Sequence, residues 1–177
     1  SHNTQFSVVR YGNVMGSRGS VIPFFMSIAK DGVLPITDNR MTRFMISLEE
    51  GVDLVWKAFD DMKGGEIYVK KIPSMKVTDV ALAVDKNAEQ EEVGIRPGEK
   101  LHEQMIGPED AYYTYEYPSY FKILPSINNW ADDPLRIGDG IKVEPDFLYS
   151  SDKNKEWMKV AELKEWIEKN RNKIGNI

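Results

Sequence analysis

Residues 10–25 read Arg-Tyr-Gly-Asn-Val-Met-Gly-Ser-Arg-Gly-Ser-Val-Ile-Pro-Phe-Phe. This stretch gives the first indication of the fold. It follows the apolar run Phe6–Val9, which predicts a buried strand, and it leads into Val21–Ala29, whose apolar spacing predicts a helix. Three glycines, two serines and two arginines lie between these elements. Glycines let a backbone approach a ligand closely, and helix N-termini and arginines both favour anions such as phosphate. The stretch therefore predicts either a ligand-facing loop or a simple turn.

Composition and charge exclude several classes of function. The chain has 177 residues, of which 41% are hydrophobic and 29% charged, as expected of one globular domain of ordinary size. Its net charge of -5 argues against broad electrostatic binding to nucleic acid. The absence of cysteine excludes a disulfide scaffold and a cysteine-based metal site, and it fits a cytoplasmic location. No apolar run approaches the roughly 20 residues of a membrane helix, and two histidines are too few for a His-rich metal site.

Strand patterns and helix patterns alternate along the chain, which predicts an α/β fold with a parallel sheet. The predicted strands cover 6–10, 44–46 and 66–69, and the predicted helices cover 21–29, 74–84 and 160–167, with another helix after Ser47. In that last helix, apolar residues at helical spacing predict a face in the core. These residues are Val52, Val55, Trp56 and Phe59.

Two further segments give weaker patterns. Leu101, Met105 and Ile106 predict a short amphipathic helix. Five tyrosines between residues 112 and 120 predict an interface or the surface of a sheet, because the acidic net charge argues against base stacking.

Three arginines lie in irregular segments, where functional residues concentrate. They are Arg18, Arg43 and Arg96. For any one of them, a surface or salt-bridging role is a sufficient explanation. Together they favour a diphosphate ligand, because a guanidinium group pairs with phosphate through two parallel hydrogen bonds. Ligands of open α/β sheets lie beyond the carboxyl ends of the strands, and the Arg18 loop follows such an end.

The usual dinucleotide-binding signals of α/β folds are absent from this sequence. No G-x-G-x-x-G motif occurs. A Tyr-x-x-x-Lys spacing occurs once, at Tyr149 and Lys153, in an extended polar stretch, and we interpret it as chance. An α/β chain of this kind is expected to lack the first half of its fold.

Eight motifs resemble the extended short-chain dehydrogenase/reductase group and, more narrowly, the configuration-inverting UDP-N-acetylglucosamine 4,6-dehydratases of the pseudaminic acid pathway. They are Arg-Tyr-Gly-Asn-Val at 10–14, Gly-Ser-Arg-Gly-Ser-Val at 16–21, Pro-Phe-Phe at 23–25, Pro-Ile-Thr-Asp at 35–38, Met-Thr-Arg-Phe at 41–44, Gly-Gly-Glu-Ile at 64–67, Arg-Pro-Gly-Glu-Lys-Leu-His-Glu at 96–103 and Pro-Asp-Phe-Leu-Tyr-Ser-Ser at 145–151. The last motif resembles the tail of that family and separates it from relatives such as epimerases. The resemblance covers nearly the whole chain.

This resemblance implies a polysaccharide biosynthesis enzyme, a lyase that uses NADP. Such enzymes oxidise the sugar at C4, eliminate water across C5–C6 and return the hydride to C6, with inversion at C5. Their catalytic Asp, Lys and Tyr lie in an N-terminal half that this chain does not resemble, so no catalytic residue is expected here. The expected fold is α/β, the C-terminal part of a Rossmann-like fold plus a smaller nucleotide-sugar-binding domain. The implied Rossmann elements are 1–30 and 44–70, and the implied substrate-binding part and tail are 31–43 and 71–177.

The same resemblance implies a binding role for eight residues. Toward a UDP-N-acetylhexosamine they are Asn13 near the diphosphate, Val21 at the uracil, Thr37 at the uridine, Arg43 and Arg96 on the diphosphate, and Glu99 on the ribose hydroxyls. Toward NADP they are Val14 and Arg18, near the nicotinamide. For Glu99, a glutamate favoured at a helix N-terminus is the alternative explanation.

Two functional hypotheses follow. In the first, the chain is the substrate-binding half of a 4,6-dehydratase, inactive unless a separate N-terminal Rossmann half joins it. In the second, it is a catalytically inactive, stand-alone UDP-sugar-binding or interaction module. A related nucleotide-sugar epimerase is a weaker third option, against which the tail argues. Because a half sheet exposes a strand edge, we also expect a homo-oligomer that self-associates around Phe6–Val9.

Overall fold

The computed structural model describes residues 4–175, so the first three and last two residues of the predicted domain lie outside it. Within this range the strands are β1 (Val8–Arg10), β2 (Asn13–Val14), β3 (Val33–Ile36), β4 (Thr42–Ile46), β5 (Ile67–Lys70), β6 (Ser74–Lys76), β7 (Glu89–Glu92), β8 (Gln104–Ile106), β9 (Thr114–Glu116), β10 (Tyr120–Ile123), β11 (Ile141–Lys142) and β12 (Tyr149–Ser150). The α-helices are α1 (Val21–Ile28), α2 (Leu48–Asp61), α3 (Val77–Val84), α4 (Pro108–Ala111), α5 (Pro134–Ile137) and α6 (Val160–Asn170).

The chain forms two compact units, each assembled from three separate segments. Unit 1 contains residues 1–11, 49–71 and 104–150, and unit 2 contains residues 12–48, 72–103 and 151–177. The sequence-based division into Rossmann elements and a substrate-binding part refers to the whole parent fold, and it stays a prediction.

Unit 1 is built on a five-stranded mixed sheet in the order β1-β5-β10-β9-β11. β1 pairs parallel with β5, whereas β10 runs antiparallel to both β5 and β9. The parallel pairing that the alternating pattern predicted is therefore present at β1 and β5, and an antiparallel hairpin extends the sheet on the other side. Strands β8 and β12 form a separate antiparallel pair. Because β8 contains Met105 and Ile106, the prediction of a short amphipathic helix there is wrong.

The core of unit 1 is largely aromatic. Tyr115, Tyr117 and Tyr120 are buried in it, so the prediction that the tyrosine cluster forms a surface is wrong for these three. Tyr117 and Tyr120 stack with ring centroids 4.5 Å apart. A buried tyrosine needs a hydrogen-bond partner for its hydroxyl, and the Tyr115 hydroxyl donates to the Ala131 carbonyl over 2.8 Å.

Helix α2 places its largest apolar side chains in solvent. Its buried residues are Gly51, Leu54 and Ala58, whereas Trp56 and Phe59 are each 63% exposed. The predicted core face is therefore wrong for these aromatic residues and for Val52. Apolar residues cover more than one side of this helix, and spacing alone does not tell which side meets the sheet.

Unit 2 has a core of aliphatic side chains and methionines from α1, α3, α6, β3 and β4. β2 pairs parallel with β4, and β4 pairs antiparallel with β6. A separate parallel pair joins β3 to β7. The last helix, α6, is present as predicted and buries Leu163 and Ile167. No helix within residues 4–175 is both long and apolar enough to cross a membrane.

Candidate functional site

A cavity of about 700 Å³ opens in unit 2, between the start of α1 and the segments that carry Thr37, Arg43 and Arg96. Seven of the eight residues singled out from the sequence line it. They are Asn13, Arg18, Val21, Thr37, Arg43, Arg96 and Glu99. Val14, at the end of β2, is half-buried and is not part of the lining. The fold thus brings residues that are up to 86 positions apart in the sequence to one cavity, from Asn13 to Glu99.

The Gly-rich stretch forms one wall because its backbone packs very closely. A Cβ on Gly12 would collide with the backbone of Phe44 in β4, so only glycine allows β2 to lie at this distance. Gly16 has a φ of 75°, a left-handed conformation that glycine adopts without strain. The chain then turns through Arg18 into α1, whose first residue, Val21, borders the cavity.

The start of α1 has unsatisfied hydrogen-bonding capacity. Ser20 is the N-cap residue, yet its side chain makes no capping hydrogen bond. Its hydroxyl oxygen is buried and finds no partner among residues 4–175. The first N–H groups of a helix carry a partial positive charge and readily bind anions. This helix start is therefore suited to a negatively charged group in the cavity.

A strand that the sequence did not indicate brings Arg96 to the site. β7 contains only Glu89, Gln90, Glu91 and Glu92, and it pairs in register with β3. The pairing continues with a hydrogen bond from the Val93 N–H to the Ile36 carbonyl, over 2.8 Å. Arg96 thereby comes to the same cavity as Thr37, which directly follows β3.

Arg43 is held firmly on one side of the cavity. It is the second residue of β4, and its side chain is 13% exposed. Its Nη1 donates to the carbonyls of Thr42 at 2.8 Å and Leu101 at 3.1 Å. Its Nη2 lies 3.7 Å from Glu99 Oε1, and its Nε lies 3.9 Å from Glu103 Oε1. The guanidinium group is thus ordered before any ligand arrives.

The cavity carries an excess of positive charge. Three arginines and one glutamate line it. Within residues 4–175 the guanidinium groups of Arg18 and Arg96 form no ion pair, and both residues are exposed. Two unpaired arginines and a third, ordered one in the same lining are chemically suited to an anion with several charged oxygens.

Glu103 supports this arrangement, and sequence reasoning gave it no role. Its Oε2 accepts the Phe44 N–H over 2.8 Å, which fixes the carboxylate beside Arg43. Burial raises the pKa of the Glu103 carboxyl, although the Phe44 N–H and the Arg43 charge oppose that rise. Its position at the end of the Arg96–Glu103 octapeptide was the one signal in the sequence.

Asp38 and Arg40 form an ion pair on the turn beside the site but do not line the cavity. Hydrogen bonds from Arg40 lower the pKa of the Asp38 carboxyl to about 2. The pair stabilises the turn between Thr37 and β4.

Comparison with known proteins identifies the family of the chain. The sequence model of a family described as "Polysaccharide biosynthesis protein" matches residues 1–125. The chain belongs to this polysaccharide biosynthesis family. Two similar members are UDP-N-acetylglucosamine 4,6-dehydratases (inverting) from Campylobacter jejuni subsp. jejuni. One, from serotype O:2, is 51% identical over 173 residues, and the other, from serotype O:23/36, is 52% identical over 167 residues.

These similarities differ in how much of each protein they cover. The match to the serotype O:2 dehydratase covers 93% of this polysaccharide biosynthesis family member and 51% of the relative. A UDP-glucose 4-epimerase from Rickettsia conorii is 42% identical over 125 residues, which is 68% of this chain and 37% of the relative. The chain therefore spans about half the length of the curated dehydratases it matches.

A solved structure confirms the predicted fold class of this family member. The X-ray structure of Pen from Bacillus thuringiensis superimposes with a TM-score of 0.80 and 31% sequence identity, over 94% of this chain and 51% of that one. The predicted α/β, Rossmann-like fold is therefore confirmed.

Proposed function

We propose that the cavity of unit 2 binds a UDP-N-acetylhexosamine, and that the chain is the nucleotide-sugar-binding half of an inverting UDP-N-acetylglucosamine 4,6-dehydratase. One observation carries the proposal: seven residues from four separate segments, chosen from the sequence, line a single cavity that has two unpaired arginines. The extent of the similarity supports a dehydratase over an epimerase, since it covers 93% of the chain for the former and 68% for the latter.

Each side of the cavity suits one part of this ligand. Arg43 and Arg96 both line the cavity, and in the proposed complex their guanidinium groups share the diphosphate while the start of α1 offers N–H groups to the same oxygens. Glu99 supplies a carboxylate, the group that accepts hydrogen bonds from ribose hydroxyls. In the proposed complex Val21 and Thr37 border the uridine, and Asn13 contacts the substrate near its diphosphate.

The cofactor proposed for this reaction is NADP, which when bound takes a hydride from the sugar and returns it. Of the two residues expected to contact NADP, Arg18 borders the cavity and Val14 does not. The exposed guanidinium of Arg18 suits a phosphorylated cofactor, so the residues present fit one margin of such a site. We propose that the catalytic Asp, Lys and Tyr and most NADP contacts come from an N-terminal Rossmann half. The pseudaminic acid pathway and a cytoplasmic location stay predictions.

Calorimetric titration of the chain with UDP and with UDP-N-acetylglucosamine tests the proposal. We expect both to bind and Arg96→Ala to weaken binding about 10- to 100-fold, because a hydrogen-bonded charge pair contributes about 1.5–3 kcal/mol. Arg171→Ala is the matched control, since Arg171 is exposed on unit 2 and is not part of the cavity lining. A folded chain that binds neither compound, or that loses affinity equally in both variants, contradicts this function.

We further propose that β1 mediates self-association. It is an edge strand of the five-stranded sheet and pairs only with β5 among the strands of residues 4–175. Phe6 is 76% exposed and Val8 53% exposed beside this edge. Unpaired strand edges bind other strands, and a second copy offers an identical one.

Light scattering over a range of chain concentrations measures this association. We expect a dimer that Val8→Lys dissociates, because a lysine on an edge strand opposes strand pairing. A monomer at the highest concentration rules out self-association. If the chain is a monomer and binds a separately expressed Rossmann half, the edge of β1 pairs with that partner and not with a second copy.

A further inference from the structure

Next to Arg43 in β4, the buried hydroxyl groups of Thr42 and Ser151 are joined by hydrogen bonds into a hydroxyl chain. Thr42 Oγ1 is 2.8 Å from His102 Nδ1 and 2.6 Å from Ser151 Oγ. Ser151 Oγ also accepts the Glu103 N–H over 2.9 Å. Thr42 is 3% exposed and Ser151 is fully buried, so these hydrogen bonds are shielded from water. In such surroundings the loss of one partner leaves the other polar groups unsatisfied, which makes the geometry well defined.

This hydroxyl chain joins three segments of unit 2. Thr42 begins β4, Glu103 ends the octapeptide that carries Arg96 and Glu99, and Ser151 begins the last segment. Main-chain hydrogen bonds strengthen the junction, since the Ser151 N–H donates to the Glu103 carbonyl over 2.8 Å. Ser151 therefore fixes β4 and the octapeptide relative to one another.

The same junction determines where the Arg43 guanidinium lies. The Thr42 carbonyl accepts hydrogen bonds from both Ser151 Oγ, at 3.2 Å, and Arg43 Nη1, at 2.8 Å. Arg43 Nη1 also donates to the Leu101 carbonyl, and the Thr42 N–H donates to that same carbonyl over 3.2 Å. Any shift of β4 against the octapeptide would therefore move both carbonyls that orient Arg43.

We propose that Thr42 and Ser151 are positioning residues for the arginine that binds the diphosphate. Neither lines the cavity, so both act through Arg43 and not by touching the ligand. The proposal deepens the proposed function and rests on it. It gives a role to Ser151, the last residue of the tail motif at 145–151.

Calorimetric titration of UDP into four variants tests this proposal. We expect Ser151→Ala and Thr42→Val to weaken UDP binding about five- to tenfold, the effect of one lost hydrogen bond. Thr42→Ser keeps the hydroxyl and should bind nearly as well as the wild type. Ser74→Ala is the control, because Ser74 is also fully buried in unit 2 and its hydroxyl accepts a hydrogen bond, from Asn154 Nδ2 at 3.1 Å, that does not involve Thr42 or Ser151. Circular dichroism confirms that each variant is folded.

A double-mutant cycle separates positioning from a general loss of stability. In an Arg43→Gln background, Ser151→Ala should weaken UDP binding no further, since the residue it positions is already gone. If Ser151→Ala does not fold, the Thr42→Val and Thr42→Ser pair gives the same cycle. Full additivity with Arg43→Gln, or unchanged affinity in both Ser151→Ala and Thr42→Val, overturns this inference.

These outcomes are distinct from a failure of the proposed function. A wild-type chain that does not bind UDP overturns the nucleotide-sugar site itself. A wild-type chain that binds UDP in an Arg96-dependent manner, with Ser74→Ala and Ser151→Ala equally without effect, keeps the site and rejects the positioning role.

Discussion

The two units of this protein use charged side chains in opposite ways. In unit 1, Arg136 and Glu66 are 7% and 1% exposed and pair with each other inside the core. Lys122 is likewise buried and pairs with Asp61 over 2.8 Å. In unit 2, Arg18 and Arg96 have no carboxylate partner for their guanidinium groups among residues 4–175, and both line the cavity.

The paired side chains of unit 1 stabilise the fold, whereas Arg18 and Arg96 of unit 2 are the side chains for which we propose a ligand. A buried ion pair is costly to break, because the remaining partner stays in an apolar environment. An exposed arginine without a partner contributes little to stability. The paired cations of unit 1 therefore have a structural role, and the lack of partners at Arg18 and Arg96 supports the binding role proposed for them in unit 2.

The largest effect is expected from Arg136→Met in unit 1. Arg136 Nη1 bonds to Glu66 and to the Gly64 carbonyl, and its guanidinium lies 3.9 Å from the ring centre of Trp130. We expect the free energy of unfolding to fall by about 3–5 kcal/mol, since Glu66 is left buried and unpaired. Urea denaturation followed by circular dichroism measures the loss. The double variant Arg136→Met/Glu66→Gln should recover part of it, and a double variant no more stable than the single one would contradict this explanation.

An intermediate, pH-dependent effect is expected from Asp61→Asn. Burial alone would raise the pKa of Asp61, but hydrogen bonds from Lys122 and Tyr68 outweigh it and lower the pKa below its ordinary value of 3.8. A carboxyl with a lowered folded-state pKa stabilises the fold above its unfolded pKa and loses that effect as the pH falls through the folded value.

We therefore expect Asp61→Asn to cost about 1.5–3 kcal/mol at pH 7 and progressively less below about pH 4. Denaturation curves at several pH values measure the difference from the wild type. Asp60→Asn is the control, because Asp60 is the exposed neighbour on the same helix. A difference that stays constant from pH 7 to pH 3 would show that the ionised carboxylate is not the cause.

The smallest effect on stability is expected from Arg18→Gln in unit 2. The free energy of unfolding should change by less than about 0.5 kcal/mol, because this exposed guanidinium has no ion pair within residues 4–175. Removal of one of three like charges at the cavity can even raise it slightly. The same urea assay compares it with Arg136→Met. A loss above about 1 kcal/mol would remove the contrast between the two units.

Sequence reasoning predicted the elements of this fold better than their faces. The helix at Val21 and the last helix follow simple periodic patterns, and the structure confirms them. The strand predicted at Phe6–Val9 is present as β1, but its predicted burial is wrong, since Phe6 is 76% and Val8 53% exposed. The aromatic residues of α2 follow an equally good helical pattern, yet Trp56 and Phe59 face solvent. Periodicity defines an apolar stripe, but which part of a wide stripe is buried depends on the sheet against which the helix packs.

For the candidate site, the sequence indicated residues that share the cavity but not the strand that brings them together. The motifs around Arg18, Arg43 and Arg96 indicated residues that do share a cavity. β7, the strand that brings one of them there, could not be predicted, because its four polar residues carry no strand signal. The motifs at 41–44 and 145–151 contain Thr42 and Ser151 but indicated no role for them, since the role of a buried hydroxyl is identified only by its partners in space.

The segment order of the two units also governs how the protein emerges from the ribosome. Unit 1 has all its residues once position 150 has been synthesised, whereas unit 2 begins at residue 12 but needs residues 151–177. Its core includes Leu163 and Ile167 of α6, which are translated after every residue of unit 1. A nascent chain would therefore expose the apolar residues of unit 2 that α6 covers until α6 has been synthesised. Chaperone binding during that interval would protect this exposed surface from aggregation.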